Sequence, residues 1–536
     1  MEQYSPSPDN RPSVRQSALS STREPFIPPR QVLDQVDGRV LDPGTALSVK
    51  GVRPRSTVYV GPRLIVSRTP DTPQVIERLQ EVAESLGWEA TVHSDDEGKE
   101  RAPDPDELTR PGVVRLDLAV RDEKATISPD GWVLLQNARA KYGIEAMSRV
   151  GLDHIVLVRS IGATPFHSTH PFHSTHPFHS THPAAGADGS AAVSSYGVAG
   201  SGGRQPMLYV GPPPIRRVDD DIVGRRPVVA TLDTGCGKHD WLVPVVSPGP
   251  KLDDEPVGYT DDETDPEKWF DQVGALDGGI DPLAGHGTFI AGLVHQGCPD
   301  ADIVAWRIVG SDGPVVESDL VKALGDIAEI ARRHRDGEDG GHPIDVLTLS
   351  LGYYHETPED LLFDPTMYDI MRLLGECGVS VVCSAGNDAT ARPMFPAAFA
   401  PWADKKGGAV PTTDVVPVVS VGALNPNGTD ALFSNAGPWV RAYAPGAAVM
   451  STLPQFQGGL QPEARTEAYM RVRESIDPDD YTGTFALWSG TSFSAPLFAG
   501  YVASQLVDKI DPDHDDRAPA VARAWQALSE LTDLTP

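Results

Sequence analysis

Four short blocks place reactive side chains where a glycine or a helix start gives them room. The apolar run Val228-Val229-Ala230-Thr231-Leu232 ends on Asp233 and is followed by Thr234-Gly235. A carboxylate closing a buried strand is partly desolvated and is able to orient a histidine through its ring N–H. The same residue type is also an ordinary turn former. His286 stands between Gly285 and Gly287, ahead of the apolar stretch Phe289 to Val294. Glycines on both sides let the backbone approach closely, as a base beside a nucleophile requires, although a histidine there also serves as a helix cap. Ser492 follows Gly490-Thr491 and precedes the apolar segment Leu497 to Val507. A helix start offers free backbone N–H groups and the positive end of the dipole to developing negative charge, and it is equally a place for a capping serine. Asn387 follows Ser384-Ala385-Gly386 at the end of the apolar run Val379 to Cys383. An amide delivered by such a turn is able to donate to an oxyanion; asparagine in turns is otherwise common.

The elements that must position these groups follow from periodicity. From about residue 207, strand-like runs at Val228–Leu232, Ile303–Ile308, Val346–Leu351, Val379–Cys383 and Val416–Val421 alternate with helical patterns. Such alternation predicts an α/β domain over 207–536 with a largely parallel sheet flanked by helices, its chemistry at the strand ends. Upstream, residues 56–160 carry a strand at Val58–Val66, a helix through Val75, Leu79, Val82 and Leu86, and a strand at Val114–Val120. A helix about Leu134–Tyr142 and a strand at Ile155–Val158 follow. With one more strand between these, the order is the β-α-β-β-α-β of a small α+β, ferredoxin-like domain. Residues 1–55 are rich in Pro, Ser and Arg, without periodicity, and are expected to be a disordered leader. Residues 161–206 read as a linker. It holds three copies of Pro-Phe-His-Ser-Thr-His from Pro165, then a Gly/Ala/Ser stretch; the six histidines fit a flexible spacer better than a metal site, because nothing fixes their geometry.

Taken together, Asp-Thr-Gly, Gly-His-Gly-Thr, Ala-Gly-Asn and Gly-Thr-Ser-Phe-Ser-Ala-Pro, in that chain order, resemble the signature blocks of the subtilisin-like (subtilase) serine peptidases. The likeness extends over about 207–510 and includes Asp345 to Gly352, Phe433-Ser434-Asn435 and Ala444-Pro445-Gly446. It implies a serine endopeptidase with Ser492 as nucleophile, His286 as general base and then acid, and Asp233 holding His286. The Asn387 side chain, with the Ser492 N–H, would form the oxyanion hole. The backbone of Ser350, Leu351 and Gly352 would pair with extended substrate, and Ser384, Ala385 and Gly386 would line the pocket before the scissile bond. It also implies that residues 56–160 are a propeptide acting as an intramolecular inhibitor of a latent zymogen, with processing in 161–206. No cofactor is needed for the chemistry. A structural calcium is allowed for, with the acidic segment Asp253 to Asp265 as a source of oxygen ligands or simply a solvated loop, and metal ligands are unassigned. A polar insertion at about Gln455–Thr484 departs from the family pattern.

Composition narrows the partners. Forty-five Lys+Arg against 75 Asp+Glu give a net charge of −30 over 536 residues, which argues against nucleic acid or an anionic membrane surface; the polypeptide substrate is what the family resemblance implies. No run is apolar enough to span a membrane, and the polar, proline-rich start lacks the features of a secretory signal, so a cytoplasmic location is expected. Cys236, Cys298, Cys377 and Cys383 match neither a zinc pattern nor a disulfide framework, and packing is their expected role. Two other functions compete with the peptidase. A non-catalytic binding or scaffold protein on the same fold would not need all four site positions. A sedolisin-like acid peptidase would carry a carboxylate where His286 stands.

Overall fold

The computed structural model describes residues 24–93, 110–158 and 204–536, apart from 123, 124, 126, 274, 275, 277, 312, 358–364, 457–463 and 476–480. Residues 1–23 of the expected leader (1–55) and residues 161–203 of the expected linker (161–206), with its histidine repeat, lie outside the described residues.

The N-terminal part begins with α1 (Arg30–Asp34) and β1 (Gly38–Leu41), then β2 (Thr57–Ser67), α2 (Thr72–Ser85), β3 (Trp88–Val92), β4 (Val113–Val120), α3 (Gly131–Tyr142) and β5 (Val150–Val158). The strand missing from the periodicity is β3, where only Trp88 and Ala90 are buried. The antiparallel order β5-β2-β4-β3 completes the ferredoxin-like arrangement, with β1 added along β2. Residues 24–55 differ from the expectation of a disordered leader: β1 pairs with β2 from Gly38↔Val60 to Leu41↔Thr57. Its buried residues are Pro28, Val32, Leu33, Leu41 and Val52, too few to show as a period. Local signals set the helices. Pro73 opens α2, the Asp130 carboxylate caps α3 by accepting the Val133 N–H at 3.0 Å, and Gly87 and Gly143 leave the helices at positive φ.

The larger part continues with β6 (Gln205–Pro206), β7 (Val228–Asp233), β8 (Val246–Pro248), α4 (His286–Gly297), β9 (Asp302–Arg307), β10 (Val315–Val316) and α5 (Glu317–Asp336). After these come β11 (Val346–Leu349), β12 (Leu351–Gly352), α6 (Pro365–Glu376), β13 (Ser380–Ser384), β14 (Val419–Leu424), β15 (Ala442–Pro445) and β16 (Val449–Thr452). The chain closes with β17 (Arg465–Ala468), β18 (Arg471–Glu474), β19 (Phe485–Trp488), α7 (Thr491–Leu506) and α8 (Arg517–Leu531). Seven strands form one parallel sheet in the order β15-β14-β13-β11-β7-β9-β8.

Alternation along the strands sorts the core. Val228, Ala230 and Leu232 pack with Leu320, Leu324 and Ile327 of α5 and Met367 and Ile370 of α6. Val229, Ile303 and Val382 face the other way, onto Ala291 and Val294 of α4, Ala499 and Val502 of α7 and Trp525 of α8. Both faces are thus covered, which is why these strands read as continuous apolar runs. Helix α7 is buried through most of its length, consistent with an apolar sequence all round. The insertion before Ser492 contributes the exposed hairpin β17–β18, with Tyr469 and Met470 at its tip. The four cysteines are unpaired; Cys298, Cys377 and Cys383 are buried and act as small apolar groups. Among the described residues, no helix is long and apolar enough to cross a membrane.

The two parts share hydrogen-bonded strands. β5 pairs antiparallel with β10 (Val156↔Val315) and with β12 (Val158↔Leu351, Leu157↔Gly352). At the same junction the Asp153 carboxylate sits on the N-terminus of α5, accepting from the Ser318 N–H and hydroxyl, both at 2.9 Å.

Candidate active site

The parallel sheet and α4 and α7 bring the predicted groups to one place. Asp233 is the last residue of β7, His286 the first of α4 and Ser492 the second of α7, and all three are buried. The His286 Nδ1 lies 2.6 Å from Asp233 Oδ1, which also accepts the Thr234 N–H at 2.8 Å. With Nδ1 engaged, the imidazole is oriented and its Nε2 is left free for proton transfer; Nε2 has no hydrogen-bond partner among the described residues. Trp488 and Phe493 stand 5.5 and 5.4 Å from the ring centroid and wall the histidine off from water. The Ser492 hydroxyl donates to the Ser350 carbonyl oxygen at 3.4 Å, and the Ser350 hydroxyl donates to the Ser492 carbonyl oxygen at 2.8 Å.

Glycine is required at Gly287. A Cβ there would collide with the Gly235 carbonyl oxygen, so α4 could not approach β7 closely enough for the histidine–carboxylate bond.

Asn387 is locked by its oxygen. Oδ1 accepts from the Thr491 N–H at 2.8 Å and the Thr491 hydroxyl at 2.9 Å, while the Thr491 hydroxyl oxygen accepts the Gly386 N–H at 3.0 Å. Because a backbone N–H only donates, the amide orientation is fixed and Nδ2 is the donor that faces away from Thr491. Asn435 braces the same loop: its Oδ1 accepts from the Asp388 and Thr390 N–H groups, and its Nδ2 donates to Ala385 O and the Tyr354 hydroxyl. Gly386 packs against that Asn435 amide at φ 101°, where a side chain would be both strained and obstructed.

A cavity beside Ser492 is lined by Ser350, Leu351, Gly352, Ser384, Gly386, Asn387 and Met394. Ala385, predicted with them, lies beneath: its N–H donates to Val421 O and its carbonyl accepts from Asn435. The N-terminal part reaches the same cavity through Pro25, Phe26, Ile27, Val58, Ile155 and Leu157. Phe26 donates its N–H to Asp388 Oδ1 at 3.2 Å, and Glu24 pairs with Arg392 at 2.8 Å.

One buried acid was not singled out in the sequence. Glu267 accepts from the Thr234 hydroxyl (2.5 Å), the Gly287 N–H (2.8 Å) and the Thr288 hydroxyl (2.5 Å), tying the end of β7 to the first turn of α4. Burial pushes its carboxyl up to about 7, against the pull of those hydrogen bonds. Cys236, three residues after Asp233, has its thiol pushed up by burial and then by Glu267, the opposite of a reactive thiolate. In the neighbouring acidic segment three carboxylates are paired within the protein. Asp253 pairs with Arg333, Asp261 with Arg307 and Asp262 with Lys268, so these carboxylates are spent on cations of the protein.

The chain is 25 % identical over 295 residues to an intracellular serine protease of Paenibacillus polymyxa, covering 52 % of this chain and 66 % of that one. It is 23 % identical over 256 residues to the major intracellular serine protease of Bacillus subtilis, covering 44 % and 63 %. It is 25 % identical over 288 residues to mycosin-4 of Mycobacterium tuberculosis, covering 51 % and 54 %. The match thus spans about half to two thirds of these relatives. Among solved structures, fervidolysin from Fervidobacterium pennivorans, a keratinolytic enzyme related to subtilisin, aligns at 18 % identity and a TM-score of 0.43, over 86 % of this chain and 56 % of that one. The model of the subtilase family matches residues 224–514, more than half of the 536 and inclusive of Asp233, His286, Asn387 and Ser492, and the chain belongs to that family of serine peptidases.

Proposed function

We propose that the protein is a serine endopeptidase that cleaves polypeptides through an acyl-enzyme on Ser492. The observation that carries this reading is the 2.6 Å bond between Asp233 and His286, with Ser492 in the first turn of α7 and Asn387 bonded to the adjoining Thr491. His286 Nε2 takes the Ser492 proton as Oγ attacks the scissile carbonyl, and Asp233 stabilises the imidazolium through Nδ1. The oxygen that becomes negative is met by Asn387 Nδ2 and the Ser492 N–H, donors held in place before the charge develops. Imidazolium then protonates the leaving amine, and water repeats the cycle on the ester. Substrate adds as a strand along Ser350 to Gly352, with its side chain in the cavity bounded by Ser384 and Gly386.

The strand pairing of β5 favours a latent form of the same enzyme. Residues 56–158 occupy the β12 edge that substrate needs, with Val158 opposite Leu351, so the N-terminal domain acts as an intramolecular inhibitor. Cleavage in 159–203 would release it. Two of the relatives carry names that place them inside the cell, consistent with a cytoplasmic peptidase that must be restrained. The test is hydrolysis of an unfolded, dye-labelled protein by the full chain, before and after limited proteolysis, with Ser492→Ala as control. Hydrolysis that the substitution abolishes supports the proposal; none after proteolysis, or equal rates in both proteins, contradicts it.

A further inference from the structure

Thr234 stands between two buried carboxylates and has one hydroxyl proton to give. Its Oγ1 lies 2.5 Å from Glu267 Oε1 and 3.2 Å from Asp233 Oδ1. The Gly287 N–H donates to the same hydroxyl oxygen at 2.7 Å, so the Thr234 proton points to one carboxylate or the other. Asp233 depends on the outcome. Its Oδ1 holds His286 Nδ1 at 2.6 Å and accepts the Thr234 N–H, while its Oδ2 is buried without a hydrogen-bond partner among the described residues. One further donor on Oδ1 draws charge from the oxygen that must stabilise the imidazolium.

Glu267 decides where that hydroxyl turns. Ionised, it is the nearer acceptor and keeps the Thr234 proton for itself. The Gly287 N–H also donates to its Oε1 at 2.8 Å, which leaves Oε2 to take up a proton. Oε2 faces the Thr288 hydroxyl at 2.5 Å, whose oxygen already accepts the Gly237 N–H at 2.7 Å and has room for a second donor. Once neutral, Glu267 is the weaker acceptor, and the Thr234 hydroxyl swings to the charged Asp233. The titratable and charged groups around Glu267 are Asp265 and Lys268 on its own segment, Asp233 and Cys236 at the end of β7, His286 in α4, and Arg307 in β9 beside Gly235. Arg307 and Lys268 are paired with Asp261 and Asp262, and among the described residues no ion pair neutralises Glu267. Burial accordingly lifts its carboxyl to about 7. We propose that Glu267 and Thr234 are positioning residues of the peptidase reaction, the Glu267 carboxylate keeping the Thr234 hydroxyl off Asp233 so that Asp233 keeps its full charge for His286. This rests on the peptidase function proposed above. Protonation of Glu267 hands the hydroxyl to Asp233 and slows the attack by Ser492. Substrate binding is untouched, because neither residue lines the cavity beside Ser492.

The experiment uses the full chain after limited proteolysis. It follows labelling of Ser492 by an active-site serine phosphonate from about pH 5.5 to about 9, together with kcat and KM on a peptide amide. On acidification the wild type should lose rate through two ionisations, those of His286 and Glu267. Glu267→Gln, fixed in the neutral state, should show one, with kcat at about pH 8 lowered about three- to tenfold and KM unchanged. Thr234→Val has no hydroxyl to hand over and should also show one ionisation; Thr234→Ser should restore both. Adding Thr234→Val to Glu267→Gln should recover the lost rate, which a merely structural role of Glu267 would not produce. A labelled wild type whose profile one ionisation describes overturns this inference and leaves the peptidase function standing. Two ionisations that persist in Glu267→Gln overturn it as well. A wild type that takes no label overturns the peptidase function and this inference with it. Should a variant fail to fold, the number of ionisations in the wild type decides.

Discussion

Glu267→Gln replaces a titrating carboxyl among the contacts that join the end of β7 to α4 and leaves a side chain of the same shape. In the folded chain, burial raises the Glu267 carboxyl from 4.5 to about 7. Folded protein therefore holds a proton here that unfolded protein has lost, over the window between those two values. The stability this proton confers is fully present below about pH 4.5, declines as pH rises through about 7, and stays lost above that. A shift of this size corresponds to about 3 kcal/mol across the window. The amide of the variant would not titrate, so the stability of wild type minus that of the variant should fall by about this amount as pH rises from about 4.5 to about 7.5. Urea unfolding at several pH values, both proteins carrying Ser492→Ala to prevent self-digestion, measures the difference; other titrating acids such as Asp281 cancel in it. A difference that is flat, or that rises with pH, would refute the reasoning that burial outweighs the three short hydrogen bonds at this carboxyl.

Other substitutions test separate parts of the account. Asn387→Ala should lower kcat by about 10²–10³ with KM little changed, the magnitude already known for the equivalent oxyanion donor of subtilisin; steady-state kinetics on a peptide amide reads it. Gly287→Ala forces a Cβ onto the Gly235 carbonyl, so α4 must move away from Asp233; kcat should drop by at least about tenfold, with a loss of about 1–3 kcal/mol by thermal unfolding. Asp153→Ala strips the cap from α5 and leaves the Ser318 N–H without that acceptor at the junction. At about 1–3 kcal/mol for a buried group left unsatisfied, the released fraction of the N-terminal domain should rise by roughly 5- to 150-fold, seen as higher basal hydrolysis before any proteolysis.

Much of the site was legible because its residues sit at the ends of elements that announce themselves. An apolar run stopping at Asp233, glycines around His286 and a Gly-Thr before Ser492 are local patterns, and the parallel sheet that unites them follows from alternating strand and helix signals. Glu267 was not legible for the opposite reason. It follows an acidic stretch whose members are solvated or paired with arginine or lysine, and only the approach of α4 to β7 buries it. Asn435 belonged to a recognised segment, yet its bracing of the Asn387 loop depends on contacts with Asp388 and Ala385, 47 and 50 positions away in the chain. Where β5 meets β12, the rings of His154 and His355 come within 4.9 Å from 201 positions apart, and no spacing rule joins them. Strand β3 escaped because two buried residues in five make too short an alternation.

The central claim, that Ser492 is a nucleophile activated by His286, is tested most directly by an active-site serine phosphonate followed by peptide mapping. The full chain is first treated by limited proteolysis to free the β12 edge from β5, then labelled beside the Ser492→Ala and His286→Ala variants. The account predicts one labelled peptide in the wild type, containing Ser492, with no label in Ser492→Ala and little in His286→Ala. An unlabelled wild type after removal of the N-terminal domain, or a label on a different serine, would contradict it.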